Sequence, residues 1–284
     1  MASTRNDRSQ ETGTFVMKNK RALAQLTVLE LNPPETVTAG AEAGFDAVGL
    51  RLHPVRPDDT VYPMNGDTPM MRETLARMGD TGITILDLEV MRLVREKDPK
   101  DFLPFFETGQ RLGASRVLTL IDERDDGLST ELLARAADLA APFGLTLGLE
   151  FMPWIGVNNL AQATKIAKAA GRKNVGLLVD SLHLSRSGGS PKDLASVPAD
   201  LISFAQICDA PAAIPPNLDA IADEAKFERL MPGEGGLPLR EFLAGLPSGI
   251  PISVEAPLRG PKGKLSGKER AKLAFDTLAR LMDG

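Results

Sequence analysis

Phe143-Gly144-Leu145-Thr146-Leu147-Gly148-Leu149-Glu150-Phe151-Met152-Pro153-Trp154 carries two signals at once. An amphipathic run ends on a glycine, which closes a helix in the left-handed conformation, and a short apolar run follows that reads as a buried strand. The strand stops on a carboxylate, followed by a proline and the chain's only tryptophan. The first signal recurs at Ala43-Gly44, Thr81-Gly82, Leu112-Gly113, Ala170-Gly171 and Ser248-Gly249, each ahead of an apolar run. The opposite junction is marked by Thr68-Pro69, Asp98-Pro99 and Ser190-Pro191, a cap residue with proline at the first helical position. Ser129, Asn158 or Asn159, and Ser266 with Glu269 as a capping box add further helix starts.

Strands are expected at about 22–31, 46–53, 83–90, 115–121, 145–150, 175–180, 201–207 and 250–255. A last helix at 266–282 carries Leu273, Leu278, Leu281 and Met282 on one face. Strands alternating with helices eight times predict a closed (β/α)8 TIM barrel as a single domain over residues 21–284, behind a flexible extension at 1–20. Met17 is a candidate natural start. The structural rival is a doubly wound open sheet. No Gly-x-Gly-x-x-Gly follows the first strand to support it.

The 284 residues carry 33 Lys and Arg against 38 Asp and Glu, a net charge of −5. That field is wrong for a phosphate backbone, so no nucleic acid is expected as a partner. No apolar run is long enough for a membrane span, and the polar first residues have no secretory h-region. The single Cys208 fits a reducing cytoplasm and reads as a small buried group.

The carboxylate at Glu150 is not isolated. Val175–Asp180, Ile202–Gln206 and Ile250–Glu255 are also apolar runs ending on oxygen donors. In a barrel the C-terminal strand ends share one face, so Glu150, Asp180, Gln206 and Glu255 from strands five to eight can converge on one ion. Three carboxylates and an amide oxygen suit Mn2+ or Mg2+ better than zinc. His183, at D-x-x-H spacing from Asp180, reads as a donor to a substrate oxygen or as a support for Asp180. His53 and Glu89 end strands two and three: His53 reads as a substrate contact or as loop packing, Glu89 as a pocket residue or a partner of Arg92, and Trp154 as the pocket wall or a core plug. Arg229 reads as an anchor for an anionic group or as a surface ion pair. Segment 208–237 is long for a barrel loop, which points to function.

Glu150, Asp180-x-x-His183, Gln206-x-x-Asp209, Pro232-Gly233-Glu234-Gly235 and Glu255 together resemble the xylose isomerase-like barrel superfamily of sugar isomerases and epimerases. The resemblance implies one divalent ion held by Glu150, Asp180, the residue at 206 and Glu255. It also implies that the two glutamates handle protons while His183 steadies the substrate. Most relatives place histidine at the position of Gln206, with glutamine in hydroxypyruvate isomerase-like members. The family's arginine downstream of strand seven is missing from Asp209-Ala-Pro-Ala-Ala-Ile214. Barrels of this kind commonly pair.

The leading expectation is a metal-dependent isomerase or epimerase of a small sugar-like polyhydroxy carbonyl compound. Glu150 would abstract the proton beside the carbonyl to give a metal-bound enediolate, and Glu255 would return it. The alternative on the same site is a lyase or dehydratase of a keto-sugar or keto-acid, in which the same proton abstraction is followed by loss of a β-leaving group. A non-enzymatic, degenerate barrel is the third reading. Three buried carboxylates kept together argue against it.

Overall fold

The computed structural model describes residues 19–54 and 59–284. The expected extension and Met17 therefore fall almost wholly outside the described residues. Eight parallel strands close into a barrel in sequence order: β1 (Arg21–Leu23), β2 (Ala47–Arg51), β3 (Thr84–Leu93), β4 (Arg116–Ile121), β5 (Thr146–Glu150), β6 (Val175–Asp180), β7 (Ile202–Ile207) and β8 (Ile252–Val254). Pairing of Ala22 with Ser253 and Leu23 with Val254 closes the ring. The open-sheet rival is thereby excluded.

Helices α1 (Pro33–Ala43), α2 (Pro69–Thr81), α3 (Leu103–Leu112), α4 (Asp126–Ala140) and α5 (Leu160–Ala170) cover the first half. They are followed by α6 (Ser181–Arg186), α7 (Leu218–Phe227), α8 (Leu239–Gly245), α9 (Gly260–Gly263) and α10 (Gly267–Asp283). The repeated glycine behaves as expected: Gly44 closes α1 at φ 104° and Gly82 closes α2 at φ 75°. Thr68 and Asn159 cap α2 and α5, and Ser266 with Glu269 forms the capping box of α10.

Three expectations need correction. The first strand is short, because after Leu23 the chain turns into a 3-10 helix, Gln25–Val28. Side chains take over the bonding there: Gln25 donates to the Leu31 carbonyl and accepts from the Arg51 amide, and Thr27 donates to the Val254 carbonyl. Helix α4 starts at Asp126 with Asp125 as its cap, while Ser129 is buried inside it and donates to the Glu123 carbonyl. Strand β8 stops at Val254, which leaves Glu255 one residue beyond the ladder.

Side-chain alternation sorts the core into two layers. Val48, Leu50, Leu147, Leu149, Ile252 and Val254 pack outward under the helices. A smaller cluster that includes Ala22, Ala47, Leu118, Leu178 and Phe204 fills the barrel interior. Gly148 is part of that interior, and a Cβ built on it would lie 2.4 Å from Phe204 Cε1. Gly148→Ala is therefore expected to cost about 1–3 kcal/mol through overpacking. Urea unfolding should show a lower midpoint at unchanged slope, and an unchanged midpoint would mean the ring has room to move.

Candidate metal and active site

The same alternation aims the strand-end donors. Glu150 shares the parity of Gly148, Asp180 that of Leu178, Gln206 that of Phe204 and Glu255 that of Ser253, so all four turn toward the axis. All four are at least 96% buried. Asp180 also caps α6: its Oδ1 accepts from the amides of Leu182 at 2.7 Å and His183 at 2.9 Å. The cap puts His183 on the first turn, with Nε2 3.8 Å from Glu150 Oε1. One donor atom each from Glu150, Asp180 and His183 lies within 4.8 Å of the others, an arrangement that could hold a metal ion.

Arg229 completes the cluster. It is 3% exposed rather than a surface residue, with Nη1 2.7 Å from Asp180 Oδ2 and Nη2 2.9 Å from Glu255 Oε2. Gln206 Nε2 donates to Glu255 Oε1 at 3.2 Å. The long segment after β7 exists to deliver this guanidinium. Asp209 pairs with Leu230 through the backbone, and its carboxylate accepts from the amides of Gly233, Gly235 and Leu237. That pins the Pro232-Gly233-Glu234-Gly235 turn and fixes Arg229 just before it.

Burial and crowding set the protonation states. Burial, then the charges of Glu255 and Asp180, push Glu150 well above the usual carboxylate range. Burial raises Glu255 as well, against the opposing pull of Arg229. For Asp180 burial acts upward, but the Arg229 charge, the His183 charge and their hydrogen bonds win and hold it low. His183 is pushed down to about 4, chiefly by burial, and is neutral at pH 7. Burial pushes the Cys208 thiol up to about 12, as suits an inert buried group.

A cavity of about 750 Å³ opens above this cluster, lined at its buried end by Glu150, His183, Arg229 and Glu255. Trp154 lines it too, its ring edge-on to His183 at 5.3 Å between centroids. His53 packs instead against Phe102 and Phe105, at 5.1 and 6.1 Å, and is not among the lining residues. Glu89 is fully buried, with neither oxygen hydrogen-bonded; the nearby Arg92 pairs with Asp122. Sequence reasoning passed over the companion of Glu89. Asp87 is 1% exposed, also without hydrogen bonds, and pushed up to about 7 by burial and by Glu255. The two carboxylates meet where Gly49 lacks a side chain: a Cβ there would lie 2.7 Å from Glu89 Oε1 and 2.8 Å from Asp87 Oδ1. The alternation Asp87-Leu88-Glu89 was the available signal, a strand with acidic groups on its inner face.

The family model of the xylose isomerase-like TIM barrel matches residues 37–281. The chain belongs to this family. It is 31% identical over 224 residues to a 3-dehydroshikimate dehydratase of Pseudomonas aeruginosa, covering 74% of this chain but 33% of that protein. It is 31% identical over 189 residues to an inosose isomerase of Bacillus velezensis, covering 62% of this chain and 65% of that one. The chain thus spans between a third and just under two thirds of these relatives. Among solved structures, the IOLI protein with a bound zinc atom superposes with a TM-score of 0.77 at 23% identity, over 93% of this chain and 98% of that one. The D-allulose 3-epimerase of a Methylomonas species does so at 0.67 and 14% identity, over 93% and 97%. At these identities the likeness is one of fold.

The donor set fits a dication. Both oxygens of Glu150 and Oε1 of Gln206 are buried without a hydrogen-bond partner. The carboxylates of Asp180 and Glu255 keep lone pairs beyond those Arg229 uses. Three carboxylates and one guanidinium, −3 + 1, leave two negative charges, which a divalent ion would neutralise. Removing the guanidinium exposes the imbalance. Arg229→Met is expected to cost the metal-free protein about 3–5 kcal/mol. Added Mn2+ should then raise the Tm of the variant more than that of the parent, and equal metal-induced shifts would show that Arg229 and the ion do not share these carboxylates. Asp87 gives a pH signature. Its affinity for a proton is higher folded than unfolded, so its contribution is fully favourable below about 4 and is lost as pH rises through about 7. Asp87→Asn should flatten the fall of Tm over that window, and a parallel profile would place the titration elsewhere.

Proposed function

We propose that the chain is a divalent-metal-dependent isomerase or epimerase of a small polyhydroxy carbonyl compound. One observation supports this reading: Glu150 and Glu255 line the buried end of a cavity, and Glu150, which has neither oxygen hydrogen-bonded, forms a compact group of donors with Asp180 and His183. Glu150, Asp180, Gln206 and Glu255 would hold the ion, with His183 close enough to join or support the set. The mainly oxygen donors favour Mn2+ or Mg2+. When bound, a dication polarises a substrate carbonyl and acidifies the adjoining C–H bond.

The chain's own groups supply the rest. Glu150, which lines the cavity with neither oxygen hydrogen-bonded, removes the proton. Glu255, held across the site by Arg229 and Gln206, returns one to the opposite face or to the neighbouring carbon. His183, neutral at working pH, bonds a substrate hydroxyl. Arg229 could meet an anionic substituent only by releasing Asp180 or Glu255, so its first role is to fix those two carboxylates. Glu89 lies beneath the site as a carboxyl whose proton affinity burial, then Asp87 and Glu255, raise, and His53 packs against Phe102 and Phe105.

A lyase on the same site is the second reading, supported by the dehydratase among the relatives matched. It shares the proton abstraction and differs in expelling a β-leaving group. No helix among the described residues is long and apolar enough to cross a membrane.

Turnover of inososes and ketohexoses in D2O by the Mn2+-loaded protein should place deuterium on the carbon beside the carbonyl. Turnover without label would remove the proton-transfer route, and an ultraviolet-absorbing enone product would select the lyase. Glu150→Gln at saturating Mn2+ is expected to lower kcat by at least about a hundredfold.

A further inference from the structure

The cavity is larger and less polar than a bare sugar requires. A six-carbon polyol has about twelve heavy atoms and displaces on the order of six waters, roughly 180 Å³. The cavity holds about 750 Å³, within the range of about 300–1,000 Å³ typical of drug-sized ligands. Glu150, His183, Arg229 and Glu255 form its buried end, and charged side chains such as Glu30, Asp59, Arg92 and Arg259 also stand on the lining. Among them the wall is built from Leu29, Met152, Trp154, Ile155, Phe227 and Leu258. Those six side chains offer a single good hydrogen-bond donor, the indole N–H of Trp154.

Besides Arg229, five cations among the described residues stand on the lining; Arg51 has its Nε buried without a hydrogen-bond partner, and the other four are engaged elsewhere. Arg92 is paired with Asp122, Arg259 with Asp223 and Glu228, and Arg270 with Glu30. Lys226 leans over the Trp154 ring, with Nζ 5.9 Å from its centroid. Hydroxyl groups pressed against such a wall would lose water and gain few partners, at a cost of about 1–3 kcal/mol each. An apolar group pressed there gains burial instead, about 25 cal/mol per Å².

We infer that the substrate is amphipathic: a polyhydroxy carbonyl ring bearing an apolar substituent of aromatic size. The ring reaches Glu150, His183 and Glu255, while the substituent lies between Trp154, Ile155, Phe227 and Leu29. This rests on the metal-centred reading for what happens at the polar end, and it adds a subsite that sorts substrates by their non-reacting part. Binding energy from that part can hold the ring in its reactive position, so a truncated substrate loses kcat as well as affinity.

Because Trp154 is the chain's only tryptophan, its fluorescence reports occupancy directly. The Mn2+-loaded full chain is titrated with phenyl β-D-glucopyranoside and with methyl β-D-glucopyranoside, two unreactive probes that differ only in the substituent. The phenyl compound is expected to bind at least tenfold more tightly. Leu29→Asn and Ile155→Asn, both on the wall and outside the metal set, should each cut that preference severalfold and leave the methyl compound unaffected. Circular dichroism and Mn2+ content confirm that the variants fold. Equal affinities, tighter binding of the methyl compound, or no binding of either overturns the subsite. A protein that prefers the phenyl probe but shows no deuterium incorporation loses the proposed reaction and keeps the subsite; the reverse result does the opposite.

Discussion

Three carboxylates buried at the mouth of one barrel cannot all keep their charges without compensation. Glu150, Asp180 and Glu255 are at most 4% exposed; Glu255 and Asp180 raise the proton affinity of Glu150, and Asp180 raises that of Glu255. The fold answers with one buried guanidinium, Arg229, which bridges Asp180 and Glu255 and leaves Glu150 open. Much of the second half of the chain serves that arrangement. The long excursion after β7, the Asp209 clasp on its glycine-rich turn and the cap that Asp180 places on α6 all fix where these charges stand.

The interior below extends the same electrostatics. Asp87 and Glu89 carry further carboxyl groups into the barrel, where Gly49 leaves the space in which their oxygens approach. Their proton affinities are raised by burial first, and each is also raised by Glu255. A dication at the mouth and protons beneath it are therefore linked through Glu255, so metal binding should be coupled to proton release. Above the site the lining is mixed, with Leu29, Ile155 and Phe227 standing among charged side chains such as Arg92, Lys226 and Arg259.

The relatives matched by sequence carry names from two reaction classes, an isomerase and a dehydratase. Under the reading proposed above, one base beside a polarised carbonyl would serve either class, the outcome depending on whether a β-leaving group departs.

How much of this was readable without coordinates follows from the range of the forces involved. Glycine caps, Pro-bearing helix starts and apolar runs are local, and Gly44, Gly82, Thr68 and Ser266 do what their neighbours in sequence dictate. Six occurrences of the glycine-and-strand phrase, within eight alternations of strand and helix, mark out the barrel. Strand alternation then points Glu150, Asp180 and Gln206 inward. Where side chains far apart in sequence compete with the ladder, local reading fails: Gln25 and Thr27 bond to Arg51 and Val254 and cut β1 short. Arg229 is the clearest case. Its sequence setting suits a surface ion pair as well as a buried one, and only the Asp209 clasp and the return of β8 bring it 2.7 Å from Asp180, 49 positions away. The withdrawal of His53 to Phe102 and Phe105, the pairing of Asp87 with Glu89 over Gly49 and the mixed outer lining are likewise products of packing. The sequence by itself determined a barrel whose later strands end in oxygen donors, because those features are periodic and local. The tertiary structure alone decided which charges neutralise one another and what shape of molecule the cavity admits, because charge pairing and cavity shape depend on distances that chain order does not contain.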